Sequence, residues 1–162
     1  MKTNLKKVTT ALVAVMSLAS AAMITTNAAD YSGNYHDKYF TISFTGSGTN
    51  PHTKTEEKWN CTSAYIRSED YSVSNAEKDK YSYATRIYGS KHTVGQGEGD
   101  SFWPDPDIRY CNYGPEPFIT PGSWSYIPNL VGENKYKYAF LVLWQKKESS
   151  VYTRGAWSPD SI

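Results

Sequence analysis

The sequence has 162 residues, with 17 Lys and Arg against 16 Asp and Glu, and a formal net charge of +1. Three of the lysines precede an apolar stretch that we expect to be removed, and the remaining chain then has 14 basic and 16 acidic residues, a net charge of −2. Nucleic acids and anionic lipid surfaces both select clustered positive charge. The balance therefore argues against nucleic acid as a partner and against simple cationic membrane disruption.

Residues 1–29 are predicted to be a secretory signal peptide. Lys2, Lys6 and Lys7 are followed by the apolar stretch "ALVAVMSLASAAM" and by the small residues Ala28 and Ala29. A helix that spans a bilayer needs about 20 apolar residues, so the shorter stretch favours cleavage over a retained N-terminal anchor, which is the alternative. We therefore expect residues 30–162 to be exported as a single domain, long enough to bury its own core.

Short alternating segments predict strands in the first half of this domain. In "KYFTISF" the residues Phe40, Ile42 and Phe44 share one face, and "KWNCTSAYIR" and "YSYATRIYG" are further candidate strands. The intervening "SEDYSVSNAEKDK" predicts a strand extension and a solvated turn, with a short helix as the alternative. The glycines of "HTVGQGEGD" predict a flexible loop or a strand edge rather than a phosphate-binding loop, because prolines follow where a helix would be required.

The second half of the domain combines a proline-rich region with the most apolar strand. Six of the eight prolines lie between residues 104 and 128 and predict a long ordered loop, with "DIRYCNY" as a short strand within it. The segment "KYKYAFLVLWQ" is apolar on both faces, which predicts a central strand, and it is expected to form a hairpin with "VYTRGAW". Trp59, Phe140 and Trp144 are assigned to the core. The predicted fold is all-β, a single antiparallel β-sandwich.

The two cysteines, Cys61 and Cys111, are predicted to form a disulfide between a strand and the proline-rich loop. An even number of cysteines in an exported chain is typical of a structural disulfide. Two separate thiols are the alternative. A nucleophilic or redox role is less favoured, since no histidine stands at a spacing tied to either cysteine.

The segment "GEGDSFWPDPD" concentrates the acidic residues Glu98, Asp100, Asp105 and Asp107. A solvated acidic loop is the favoured interpretation, and a calcium site and a catalytic carboxylate pair are the alternatives. The histidines at positions 36, 52 and 92 are isolated in sequence and are expected at the surface. No catalytic residue, metal or cofactor is assigned.

Aromatic residues are the clearest compositional excess, with 24 Phe, Trp and Tyr in the chain. Exposed Tyr and Trp side chains are common where proteins bind other molecules, because each ring combines a large apolar surface with a polar group. Four aromatic residues lie in or beside the proline-rich region and form the candidate binding platform: Trp103, Tyr113, Trp124 and Tyr126.

Three segments resemble a family of small secreted all-β proteins of Firmicutes that has no established activity. They are "TSAYIR", "KYKYAFLVLW" and the closing "GAWSPDSI", in which Gly155, Trp157, Pro159 and Asp160 look like the terminal pattern of that family. The family is distantly similar to the lactococcin-type bacteriocins, secreted β-sandwich proteins that act on the cell envelope of sensitive bacteria. The present chain differs from those bacteriocins in its length, its cysteine pair and its proline-rich stretch.

The resemblance and the composition together favour an exported, non-enzymatic protein that acts at a bacterial cell envelope. It would be a bacteriocin-like effector or an interaction protein, and its partner would be an envelope component or a membrane protein of the target cell. The alternative is a secreted hydrolase or a carbohydrate-binding module for envelope polymers.

Overall fold

Nine strands and one short helix make up the regular structure of the described residues. The strands are β1 (Lys38–Thr45), β2 (Glu56–Glu57), β3 (Ala64–Ser68), β4 (Tyr83–Ser90), β5 (Ile108–Tyr110), β6 (Phe118–Ile119), β7 (Trp124–Ile127), β8 (Tyr138–Trp144) and β9 (Ser150–Ser158), and the helix is α1 (Asn75–Tyr81). α1 occupies the segment for which a solvated turn was the favoured prediction, so the alternative of a short helix is confirmed. No helix in this part of the chain has the length and apolarity that crossing a membrane requires.

The computed structural model describes residues 33–45, 50–69, 74–98, 104–145 and 150–161. The predicted signal peptide, residues 1–29, lies outside these ranges, as do Asp100 of the acidic loop and Trp103 of the predicted binding platform. The described residues all belong to one compact unit, residues 32–162.

The strands form two antiparallel sheets, which confirms the all-β prediction at this level. Sheet A has four strands in the order β1-β9-β3-β7. Sheet B has five strands, with the order β2-β8-β4-β5 and with β6 also paired to β4. The proline-rich region, predicted as one long loop, therefore contains three short strands, β5, β6 and β7, and the short strand predicted in "DIRYCNY" is confirmed as β5.

The main core follows from the alternation of β1. Phe40, Ile42 and Phe44 are buried while the residues between them are exposed, as a strand with one solvated face requires. The cluster that they join takes side chains from both sheets: Ile66 and Trp157 from sheet A, and Ile87, Leu141 and Leu143 from sheet B, among others. Burial of each such side chain stabilises the fold by about 1.5–3 kcal/mol relative to exposure.

Strand β8 is a central strand, as its two apolar faces predicted. Leu141 and Leu143 enter the main core, whereas Phe140 and Val142 belong to a second cluster on the opposite face of sheet B. Phe140 is fully buried, which confirms its assignment to the core. The ring of His52 packs edge-on against Phe140 with 5.8 Å between centroids, so the prediction of a surface position for His52 is wrong.

The predicted hairpin between β8 and β9 is wrong, because the two strands belong to different sheets. Both edges of β8 are occupied, by β2 and by β4, and β9 lies between β1 and β3. The register of β9 with β1 places Gly155 opposite Phe40, and a Cβ at Gly155 would lie 2.7 Å from Cζ of that ring. The missing side chain gives the phenyl ring room, so β9 fits beside β1.

The predicted disulfide is also wrong, since Cys61 and Cys111 are not bonded to each other. Cys61 is exposed in the turn before β3, whereas Cys111 is buried in the main core, where its thiol donates a hydrogen bond of 3.4 Å to the carbonyl oxygen of Arg109. Burial raises the pKa of the Cys111 thiol. The prediction rested on an even number of cysteines, whereas bond formation depends on the direction of the two Cβ atoms.

Two of the three aromatic residues assigned to the core lie nearer the surface. Trp59 is 54% exposed, and its Nε1 donates a hydrogen bond of 3.1 Å to Glu57 Oε2. Trp144 is half-buried on the face of sheet B opposite the main core, where its Nε1 donates to Glu116 Oε2 at 2.9 Å. Their polar ring nitrogens are thus satisfied by surface carboxylates, which a fully apolar core would not offer.

Candidate binding site on the outer face of sheet A

The outer face of sheet A, opposite the main core, carries an alternating set of aromatic and charged side chains. In β3, Tyr65 and Arg67 alternate with the buried residues Ala64 and Ile66. The register between β3 and β7 pairs Tyr65 with Tyr126 and Arg67 with Trp124. Side chains paired across two strands in this way point to the same face of the sheet, so these aromatic residues become neighbours.

Three rings on this face each contact the other two, and we call them the aromatic cluster: Tyr65, Trp124 and Tyr126. The ring centroids lie 6.0 Å apart for Tyr65 and Trp124, 5.8 Å for Tyr65 and Tyr126, and 5.6 Å for Trp124 and Tyr126. Trp124 is 60% and Tyr126 48% exposed. The rings brace one another in place while their surfaces remain accessible, so this cluster is the candidate binding surface.

A charged group borders the aromatic cluster on the side of β1. Arg67 forms an ion pair with Asp37, 3.1 Å from Nη2 to Oδ2, and its guanidinium lies 5.8 Å from the centroid of the Tyr39 ring. The hydrogen bond that Arg67 donates to Asp37 raises the pKa of the guanidinium, which therefore stays charged. Ala156, which pairs with both Tyr39 and Arg67 in the sheet, is buried. The two long side chains therefore cover β9 at this point.

A cavity of about 180 Å³ lies next to the aromatic cluster, and we call it the tyrosine pocket. Tyr35, which approaches from the segment before β1, is fixed by a hydrogen bond of 3.3 Å from Asn60 Nδ2 to its hydroxyl oxygen. The pocket is lined by Tyr35, Asp37, Tyr65, Tyr126, Ser158, Asp160 and Ser161. It therefore combines three phenol rings with carboxylate and hydroxyl groups.

A buried ion pair between Lys58 and Asp160 supports the pocket. Both side chains are 0% exposed, and Nζ lies 2.6 Å from Oδ1. Asp160 Oδ2 accepts backbone hydrogen bonds from Asn34, at 2.7 Å, and from Trp59, at 3.0 Å, while Lys58 Nζ also donates to the carbonyl oxygens of Thr62 and Pro159. Burial lowers the pKa of Lys58, and the carboxylate of Asp160 opposes that shift. The pair thereby ties the end of β9 to the segments around residues 34 and 58–62.

The closing motif of the sequence therefore has a structural role. Gly155 lets Phe40 and β3 approach closely, since a Cβ there would lie 2.3 Å from the carbonyl oxygen of Arg67. Trp157 is part of the main core. Pro159 follows the last residue of β9 and offers its carbonyl oxygen to Lys58, next to the ion pair formed by Asp160.

Of the four residues predicted to form a binding platform, the structure brings two together. Trp124 and Tyr126 lie in the aromatic cluster, on a strand rather than a loop. Tyr113 is 68% exposed but lies after β5, where its backbone nitrogen donates to the carbonyl oxygen of Pro128. Sequence reasoning missed Tyr65, although its alternation with Ala64 and Ile66 was a usable signal.

Sequence reasoning also missed Tyr35 and Asp37. No strand pattern surrounds these two residues, which precede β1, so nothing in the sequence placed them beside β3 and β7. Only the pairing of β1, β9 and β3 brings the start of β1 to this end of the sheet.

The described part of the acidic loop contacts Lys91 and His92 at the surface. Asp107 pairs with Lys91 at 2.8 Å, and Asp105 lies 3.3 Å from Nε2 of His92. Lys91 lowers the pKa of Asp107. His92, Asp105 and Asp107 place ligand atoms within 4.8 Å of one another, but the ammonium of Lys91 already neutralises Asp107. Glu98 is exposed and lines a separate polar cavity with Gln96 and residues of β1.

Comparison with known proteins gives a single finding. The family model described as "Protein of unknown function (DUF2712)" matches residues 24–161. No curated protein and no solved structure matches the chain. The expected similarity to an uncharacterised family is thus confirmed, whereas an origin in Firmicutes and the distant similarity to lactococcin-type bacteriocins receive no support and stay predictions. The chain belongs to the DUF2712 family of proteins of unknown function.

Proposed function

We propose that the protein is an exported, non-enzymatic β-sandwich that binds a polysaccharide of the bacterial cell envelope through the outer face of sheet A. The observation that carries the proposal is the aromatic cluster of Tyr65, Trp124 and Tyr126, in which two rings are about half exposed and all three are in mutual contact. A sugar ring has an apolar C–H face and a polar rim of hydroxyl groups. Aromatic side chains beside polar groups complement both parts.

The position of the cluster on paired strands favours binding. The rings are held by the β3–β7 ladder and by one another, so little side-chain freedom is lost when a ligand binds. Asp37, Arg67 and Ser158 lie beside the rings and offer acceptors and donors for hydroxyl groups. Envelope binding is common to a bacteriocin-like effector and an interaction protein, and the proposal is limited to that shared step.

Two carboxylates near the candidate sites, Asp107 and Asp160, favour binding over hydrolysis. Glycosidases need one carboxylic acid with a raised pKa as proton donor, whereas Lys91 lowers the pKa of Asp107. Asp160 in the tyrosine pocket is held by Lys58 and by two backbone N–H groups, which occupies its oxygens. These two carboxylates are therefore suited to stabilising the fold and the binding face rather than to donating a proton.

The proposal is tested by cosedimentation of the purified protein with insoluble cell-wall polysaccharide. Trp124→Ala removes the most exposed ring of the cluster, and we expect binding to fall by about tenfold or more, since stacked aromatic anchors dominate such interfaces. Tyr113→Ala removes an equally exposed ring outside the cluster and is the matched control, with binding unchanged.

Two results would contradict the proposal. Equal binding by the wild type and Trp124→Ala would show that the cluster is not the contact surface. Release of soluble sugar fragments by the wild type would identify a hydrolase instead.

A further inference from the structure

We propose that the tyrosine pocket binds an alkylammonium group, a positively charged substituent carried by the envelope polymer. The inference rests on the proposed function, because it names the chemical group that the same face selects. The pocket is lined by the tyrosines Tyr35, Tyr65 and Tyr126 and by Asp37, among other residues. Aromatic faces with a carboxylate beside them attract ammonium cations through the quadrupole of each ring and through charge.

The charges of the lining residues favour a cation. The lining contains two aspartates and no lysine or arginine. Asp160 is paired with Lys58 and its side chain is fully buried, whereas Asp37 is paired with Arg67 at the surface. Asp37 is therefore the carboxylate that a ligand cation can reach, in competition with Arg67. Both hydrogen bonds from Arg67 go to Oδ2 of Asp37, and within the described residues Oδ1 accepts none.

The tyrosine side chains are held in place before any ligand arrives. Tyr65 contacts both Trp124 and Tyr126, with centroids 6.0 and 5.8 Å away. Tyr35 lies over Gly33, where a Cβ would be 2.2 Å from Cζ of the ring, and its hydroxyl accepts a hydrogen bond from Asn60. A pocket with fixed walls loses little conformational entropy on binding.

The size of the pocket matches a substituent rather than a whole ligand. Its volume is about 180 Å³, whereas sites for drug-sized ligands enclose about 300–1,000 Å³. The adjacent aromatic cluster is where the sugar backbone of the polymer would lie, with the ammonium group entering the pocket beside it. The pocket would then set specificity, while the cluster supplies contact area.

The test uses choline chloride as the probe and 3,3-dimethylbutan-1-ol, in which carbon replaces the charged nitrogen, as its uncharged analogue. Binding to the full-length protein is measured by NMR titration of the tyrosine ring signals. We expect choline to bind at least about tenfold more tightly than the analogue, because only the charged group gains from the rings and the carboxylate. Equal affinity for the two probes would overturn the inference.

Two variants at Asp37 and Arg67 sharpen the test because they act in opposite directions. Asp37→Asn removes the carboxylate charge and should weaken choline binding by about tenfold. Arg67→Met keeps Asp37 but removes its competing partner, and should strengthen choline binding. Tyr152→Ala, on the same sheet but outside the pocket, is the control and should change nothing. Thermal melting of each variant verifies that it is folded. Loss of choline binding in Tyr152→Ala would contradict the inference, and so would unchanged choline binding in Asp37→Asn.

Competition separates this inference from the proposed function. If saturating choline leaves polysaccharide binding intact while Trp124→Ala abolishes it, the polymer binds at the cluster and the pocket inference fails alone. If choline binds as expected but no polysaccharide cosediments, the proposed function fails. Displacement of the polysaccharide by choline, and not by the uncharged analogue, supports both.

Discussion

Asp160→Asn tests the buried ion pair that holds the end of β9. The substitution keeps the size of the side chain but removes its charge, so the ammonium of Lys58 is left in a site where both side chains are 0% exposed. Two backbone donors, the N–H groups of Asn34 and Trp59, also lose a charged acceptor. A destabilised native state is therefore expected.

The magnitude follows from the partners that remain. Removing one member of a buried ion pair costs about 3–5 kcal/mol. Lys58 keeps the carbonyl oxygens of Thr62 and Pro159, at 2.6 and 2.8 Å, and the amide oxygen of the new asparagine can still accept one hydrogen bond. We therefore expect the lower end, about 3 kcal/mol of unfolding free energy, which is a large part of the 5–15 kcal/mol of an ordinary domain.

Urea denaturation of the wild type, Asp160→Asn, Lys58→Met and the double variant measures this energy. The double variant contains no buried charge at the site, so it should be more stable than Asp160→Asn alone, with a coupling energy above 1 kcal/mol. The direction in which the stability of Asp160→Asn changes with pH is an independent test. Burial lowers the pKa of Lys58, so in Asp160→Asn the unfolded state binds its proton more tightly and stability should rise from neutral towards alkaline pH.

A loss below 1 kcal/mol in Asp160→Asn, or two single substitutions whose effects simply add, would contradict a strongly coupled ion pair at this site. Asp107→Asn is the control, because Asp107 and Lys91 form an ion pair exposed to solvent. Its unfolding free energy should match that of the wild type, since solvent and salt screen such pairs.

Two further predictions address the glycine and the cysteines. Gly155→Ala should lower the free energy of unfolding by about 1–3 kcal/mol, because the new Cβ would lie 2.3 Å from the carbonyl oxygen of Arg67 and 2.7 Å from the ring of Phe40. A denaturation midpoint equal to that of the wild type would argue against the close packing of β9. In the native protein without reductant, a thiol reagent at neutral pH should modify Cys61 rapidly and Cys111 only on unfolding. The reason is that Cys111 is buried and that burial raises its pKa. Two unreactive cysteines that become reactive only after reduction would contradict the unbonded arrangement.

The strands that the sequence predicted best are those whose environment is uniform along their length. In β1 the alternation of Phe40, Ile42 and Phe44 with exposed residues required one buried face, and in β8 two apolar faces required a central position. The periodicity of side chains contains this information directly. By contrast, β6 and β7 are two and four residues long and lie among prolines, so no window was long enough to show a period.

The candidate site was predicted only in part. Trp124 and Tyr126 were selected because aromatic residues in a proline-rich region of an exported chain are expected to be exposed. Trp59 was assigned to the core by the same kind of composition argument and is exposed. Residue type alone therefore did not separate an aromatic residue that packs in the core from one that faces solvent.

The sequence by itself determined the all-β class, the faces of β1 and β8, and the importance of the closing "GAWSPDSI", because these depend on local periodicity and on residues with narrow roles such as Gly155. Only the tertiary structure decided that β9 pairs with β1 and β3 and that Asp160 meets Lys58 across 102 positions of the chain. It also decided that Tyr35, Tyr65 and Tyr126 line one pocket. Partners distant in sequence are chosen by the free energy of packing the whole chain, which no local pattern records.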